Sequence, residues 1–269
     1  MGNTLFIVWR ESVEAILVVG ILLAWMRHNQ IGAVGMRALA AGVVAGLGLA
    51  GLLGWAMVAA QDQLSGNALE GFQVGMLVVA AALIAQMVLW MRRHGRGMRQ
   101  SLQAELQRAS ERAGLWGVAA VAALAVAREG AETAVFLYGV SLEPGSANSV
   151  AVGALLGVAA AVATAWAVAR GLRFLDYRRF FSISGWLLMF FAVALLVSAV
   201  DRMIGNGWLP TLVDPLWSSA WLVEDGSRAG SLLSALVGYR AHPSLTLVLV
   251  YGAYWVLMLA ALRRTHRHA

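Results

Sequence analysis

Cysteine is missing from this 269-residue chain, which excludes a disulfide framework and any thiolate metal site, and with them soft-metal transport by thiolates. Lysine is missing as well, since all 20 basic side chains are arginine. A phosphate-binding glycine loop ending in Lys-Ser or Lys-Thr therefore cannot be drawn, and no nucleotide-driven motor is encoded. The apolar runs hold no histidine or cysteine to act as base or nucleophile, so an intramembrane hydrolase is excluded and the protein is not expected to be an enzyme. Charge itself is scarce, at 13% of residues against about 25% for an ordinary soluble domain.

What is present in excess is hydrocarbon. The chain is 60% hydrophobic with a mean hydropathy of +0.73, and its charges gather in short segments between apolar runs of about 20 residues, the length that crosses a bilayer. Seven runs are read as spans, near 5–26, 38–60, 71–91, 115–140, 150–169, 180–200 and 244–262. The first resembles a secretory signal only superficially. No basic segment precedes it, it carries Arg10, Glu11 and Glu14, and it is expected to be retained.

Arginine placement sets the orientation, because cytoplasmic connections retain positive residues. Arg27 and Arg37 follow the first run; Arg92, Arg93, Arg96, Arg99, Arg108 and Arg112 follow the third; Arg170, Arg173, Arg178 and Arg179 follow the fifth; and Arg263, Arg264 and Arg267 close the chain. All of these fall on one side, which puts the N-terminus outside and the C-terminus inside. The formal charge of +6 is accounted for by this asymmetry, and no nucleic-acid partner is implied. The connection at 92–114 is then cytoplasmic, with 101–112 a short polar helix acting as a solvated spacer and ending near Gly114. The connection at 201–243 is periplasmic, with room for short interfacial helices and with Trp208, Trp217 and Trp221 suited to an interface belt.

One sequence recurs. Arg10-Glu11-Ser12-Val13-Glu14 is echoed by Arg128-Glu129-Gly130-Ala131-Glu132, both inside apolar runs. Three spans separate the copies, so the fourth helix runs antiparallel to the first, as in an inverted repeat. A weaker echo sets Glu70-Gly71-Phe72 against Ser184-Gly185-Trp186. The fold class expected is an all-α integral membrane protein of seven transmembrane helices, an inverted three-plus-three repeat plus one helix, in a single domain over 1–269.

Each charge at the centre of a spanning helix costs about 2.5 to 3.5 kcal/mol on insertion scales. The spacing places the arginine and the second glutamate at i and i+4 and the two glutamates at i and i+3, so all three share one face. That face must look into the bundle or a wet cavity. The motifs together contain two more acids than arginines, which makes an acceptor-rich site for a hard cation. Glu11, Glu14, Glu129 and Glu132 are the candidate metal ligands, supported by Arg10, Arg128 and Glu70 at the outer start of the third span. The bland alternative is a set of buried ion pairs locking the helices, but pairing needs only one glutamate per arginine and buried pairs are weak stabilisers.

The doubled R-E-x-x-E motif, in the first and fourth of seven spans, resembles the iron permease family that includes the yeast high-affinity ferric permease and bacterial iron permeases. The resemblance covers 10–254 and extends to Glu70-Gly71, Gly238-Tyr239 and Pro243-Ser244. It implies that the motif glutamates move iron, with iron(III) as transported substrate and no permanently bound cofactor. It also implies a plasma-membrane location (the inner membrane of a bacterium) and a periplasmic ferroxidase and iron-binding proteins as partners. The long periplasmic N-terminal domain of some relatives is not found here, so oxidation is expected in separate proteins. Acids in the outer loop handle iron in some relatives, and Glu224-Asp225 is a loose match. Other cations such as lead or manganese suit the same carboxylates, and a non-transporting membrane scaffold of an oxidase complex is the alternative of a different class. His28, His94 and His242 lie in connections, His266 and His268 fall in a basic tail suited to anionic lipid, and Met76, Met87, Met91, Met189 and Met258 are read as packing.

Overall fold

The computed structural model describes residues 2–94, 98–142, 147–170 and 177–267. The expectations for Arg96, Arg173 and His268 lie outside them, as do those resting on the side chains of Arg93, His94, Arg99, Arg178, Arg179, Arg228, His266 and Arg267. Runs of Ala, Leu, Val and Gly in hydrocarbon must satisfy every backbone N–H and C=O internally, and a helix does so within one segment. The described residues accordingly form eight helices and no strand: α1 Gly2–His28, α2 Ala33–Gln63, α3 Gly66–His94, α4 Met98–Ser141, α5 Ala147–Ala169, α6 Tyr177–Gly205, α7 Arg228–Val237 and α8 Leu245–Arg267.

Five of these, α2, α3, α5, α6 and α8, contain stretches long and apolar enough to cross a membrane. Helices α1 and α4 are as long, but each carries the three charges of a motif within its apolar stretch. The chain is an all-helical, multi-pass membrane protein. Its helices divide into two compact units, one holding α1, α2, α4 as far as Tyr138 and α5, the other holding α3, α6, α7 and α8. The first unit thus holds both motif helices, α1 and α4, and the helix that follows each, while the second holds α3 and α6.

In the first unit α1 lies along α5, and α2 lies along α4 at a series of small residues. A Cβ added at Gly42 would meet Ala119 and Ala122, one at Gly46 would meet Ala123 and Val126, and one at Gly54 would sit 3.8 Å from the Ala134 Cβ. Both chain directions advance together, so the two helices run parallel. Small residues at every fourth position let backbones approach this closely, and dispersion rather than hydrophobic transfer holds them in lipid.

Gly114 divides α4, with φ 56° and ψ −132°, a conformation that a side chain would oppose. The chain turns there sharply enough for Gly117 to pack on the Ala109 carbonyl, where no Cβ would fit. The sequence reading of 101–112 as a solvated spacer is corrected by this turn. Leu106 is fully buried and joins Val18, Leu22, Met26, Leu39, Val118 and Ala122 in one core, with Leu102 packed against it. Leu102 and Leu106 stand one helical turn apart, so a polar segment carries a narrow apolar stripe that docks onto the ends of α1 and α2.

In the second unit α6 packs on α7 and α8, meeting α8 through Val197, Val200 and Leu247. The Tyr254 hydroxyl donates to the Met189 carbonyl at 2.9 Å. The connection between α6 and α8 is largely built structure. Helix α6 runs on to Gly205, and α7 is capped by Ser227, whose hydroxyl accepts from the Gly230 N–H. Gly238, at φ 72°, closes α7 in the left-handed conformation. Tyr239 follows, its hydroxyl donating to the Val223 carbonyl at 2.9 Å and lying 2.8 Å from Ser219 Oγ.

Candidate metal site

The first motif sits midway along α1 and is sealed. Arg10 has no exposed surface, Glu11 has 1% and Glu14 8%. One guanidinium serves both acids, with Nη1 2.6 Å from Glu11 Oε1 and Nη2 2.5 Å from Glu14 Oε1. A charge-assisted fork of this kind is among the stronger interactions available to a side chain, and it must be, because it offsets the desolvation of three charges.

The second motif lies on α4 and is built differently. Arg128 Nε is 3.2 Å from Glu132 Oε1, and the arginine side chain is half exposed. Glu129 is left to face inward. One carboxylate oxygen each of Glu11, Glu14 and Glu129 lies within 4.8 Å of the other two. Hard cations hold oxygen ligands at about 2.0 to 2.6 Å, so small side-chain rotations bring these three acids onto one ion. Glu132 stands outside this set, held by Arg128. The ion pairs of each arginine described here run along its own helix.

Several acceptors in the site are unused. Among the described residues, the second oxygens of Glu11, Glu129 and Glu132 are buried without a hydrogen-bond partner. An unsatisfied buried acceptor costs about 1 to 3 kcal/mol, more when charged. Three of them together on two helices constitute a demand for protons or for a cation. This is the chemistry that carboxylate donors in excess of their arginines can perform: they can accept a hard, multiply charged ion and give it up again.

Glu70 belongs to the second unit and is not a member of the three-acid group. Its Oε2 accepts from Asn206 Nδ2 at 3.2 Å and stands 4.0 Å from Arg202 Nη1. Arg202 also donates to Gln73 Oε1 at 2.6 Å and to the Leu142 carbonyl at 2.7 Å. Sequence reasoning passed over Arg202. Its signal was a basic residue at the last turn of a span, adjacent to Asp201. Thr4 was also passed over, a fully buried hydroxyl two helical turns from Glu11 and on the same side of α1. Asp225 Oδ1 accepts the Ala241 N–H at 2.8 Å, while Glu224 is engaged through its backbone carbonyl, which accepts from Ser227 Oγ at 2.7 Å. His242 Nε2 lies 3.0 Å from Ser218 Oγ. Met87, Met189 and Met258 are buried in packing.

The family model described as "Iron permease FTR1 family" matches residues 1–264. The chain is similar to the ferrous iron permease EfeU of Yersinia pestis, 27% identical over 252 residues that cover 93% of this chain and 89% of the relative. It is similar also to the ferrous iron permease EfeU of Escherichia coli O157:H7, at 26% identity over 260 residues, 95% of this chain and 92% of the relative. No solved structure matches.

Proposed function

The chain belongs to the iron permease FTR1 family, and on that premise we propose that it carries ferric iron across the cytoplasmic membrane through the carboxylates of its two R-E-x-x-E motifs. The observation that carries this reading is the meeting of Glu11, Glu14 and Glu129 within 4.8 Å, with buried acceptor oxygens left over. Carboxylate oxygen is a hard donor and iron(III) a hard acceptor, which favours this ion over softer ones. Seven spans follow if α1 and α4 join the five apolar helices, their charges turned inward to each other. Arginine placement then puts the N-terminus outside and the C-terminus in the cytoplasm.

The relatives carry the name ferrous iron permease. Both forms of iron fit one route if iron(II) is delivered to the outer face and oxidised there by a separate periplasmic ferroxidase before entry. Glu132 takes part when Arg128 releases it, and Glu70 stands at the outer start of its helix as an entry residue. Purified protein in liposomes provides the test. Iron(III) flux, with the Glu14→Ala, Glu132→Ala double variant inactive, is the expected result. Flux of iron(II), lead or manganese in preference to iron(III) would reassign the substrate. No flux of any metal, with intact assembly of an oxidase partner, would reduce the protein to a scaffold.

A further inference from the structure

The two motif helices are backed in the same way. A Cβ at Gly46 of α2 would lie 2.7 Å from the Ala123 carbonyl oxygen, 2.8 Å from the Val126 Cβ and 3.0 Å from the Ala127 nitrogen of α4. A Cβ at Gly157 of α5 would lie 2.7 Å from the Leu5 carbonyl oxygen, 2.9 Å from the Val8 Cβ and 3.0 Å from the Trp9 nitrogen of α1. Counted back from Arg128 and from Arg10, the three contacted residues hold the same places: five, two and one before the arginine. The correspondence goes further, because Gly42 precedes Gly46 by four residues as Gly153 precedes Gly157, and all four glycines are buried.

At about 100° per residue, Leu5, Val8 and Trp9 lie on the side of α1 roughly opposite to Arg10, Glu11 and Glu14, and the same holds for α4. Each motif helix therefore shows its acids to the other motif and its back to a glycine-seated partner. The α1–α5 seat is further tied by Trp9 Nε1, which donates to Thr164 Oγ1 at 3.0 Å. The α4–α2 seat continues at Gly130, inside the second motif, where an added Cβ would come within 2.5 Å of the Ala50 Cβ.

We propose that Gly46 and Gly157 are matched positioning residues that seat α4 on α2 and α1 on α5, and that both seats stay closed through the transport cycle so that the acids of the two motifs keep facing one another. The inference rests on the transport reading above. All four helices belong to one compact unit, in which Val18, Leu22 and Met26 of α1 share a core with Leu39 of α2 and with Val118 and Ala122 of α4.

The absence of native cysteine makes cross-linking a clean test. The 3.8 Å separation at Gly54 and Ala134 falls in the Cβ range of a disulfide, about 3.5 to 4.5 Å. In the Gly54→Cys, Ala134→Cys variant the bond should form on oxidation, and iron flux in liposomes should stay within about two-fold of the reduced protein. Failure of the bond to form, or flux lost on oxidation and restored by reductant, would overturn the closed α2–α4 seat. A second variant pair reads the seat without a cross-link. Gly130→Ala should lose flux and the Ala50→Gly, Gly130→Ala double variant should regain it, whereas loss in both would overturn the positioning role. Absence of flux from the unmodified chain would instead overturn the transport reading itself.

Discussion

The two copies of the motif have nearly the same letters and opposite surroundings. Around Arg10 the guanidinium is enclosed and shared between Glu11 and Glu14; around Arg128 it is half in the open and pairs with Glu132. A repeated sequence thus does not impose a repeated environment. The difference comes from the neighbours and teaches what each arginine does. The buried one is the counter-charge without which two acids would be stranded in an apolar interior. The open one restrains Glu132, while Glu129 lies with the pair on α1.

The widest separation between the copies is expected on removing the arginines. Arg10→Ala leaves two buried carboxylates without their partner, a loss of about 3 to 5 kcal/mol for a broken buried pair. Little folded protein should be recovered from detergent extracts by size-exclusion chromatography. Arg128→Gln breaks a half-exposed pair worth no more than about 1 kcal/mol, and its melting temperature should stay close to that of the unaltered chain. Equal damage from the two would erase the distinction drawn between the motifs.

Leu106→Ala comes next, because its cavity lies under the first unit and away from the acids. A loss of about 2 to 5 kcal/mol should appear in thermal melts, while the iron affinity of the protein that remains folded should not change. A smaller contrast sets Glu129 against Glu132. With Glu129 in the three-acid group and Glu132 held by Arg128, Glu129→Gln should weaken iron binding by more than the about 10-fold typical of losing an outer partner. Glu132→Gln should weaken it less. The reverse order, measured by titration of the purified variants, would move the site one turn along α4.

The helices were largely legible in the sequence because apolar run length and charge interruption are one-dimensional quantities. The motif acids were legible for the same reason, since i, i+3 and i+4 spacing needs only a helix. What escaped depended on meetings between distant segments. The docking of Leu102 and Leu106 needed the turn at Gly114, and no local pattern announces that a polar stretch will fold back onto α1 and α2. Arg202 gains its role only where Gln73, the Leu142 carbonyl and Glu70, distant in sequence, meet its guanidinium. The unequal burial of Arg10 and Arg128 follows from tertiary packing alone, since their flanking sequences are both apolar. The glycine seats were visible as spacing, but their equivalence lies in which atoms they touch.

X-ray absorption at the iron edge of the iron-loaded protein addresses the central claim most directly. Iron bound by the two motifs together should show a shell of oxygen donors with carboxylate character, and the Glu11→Gln, Glu129→Gln double variant should lose both the shell and the metal. Iron retained undiminished by that variant, or a shell containing imidazole nitrogen, would contradict the site.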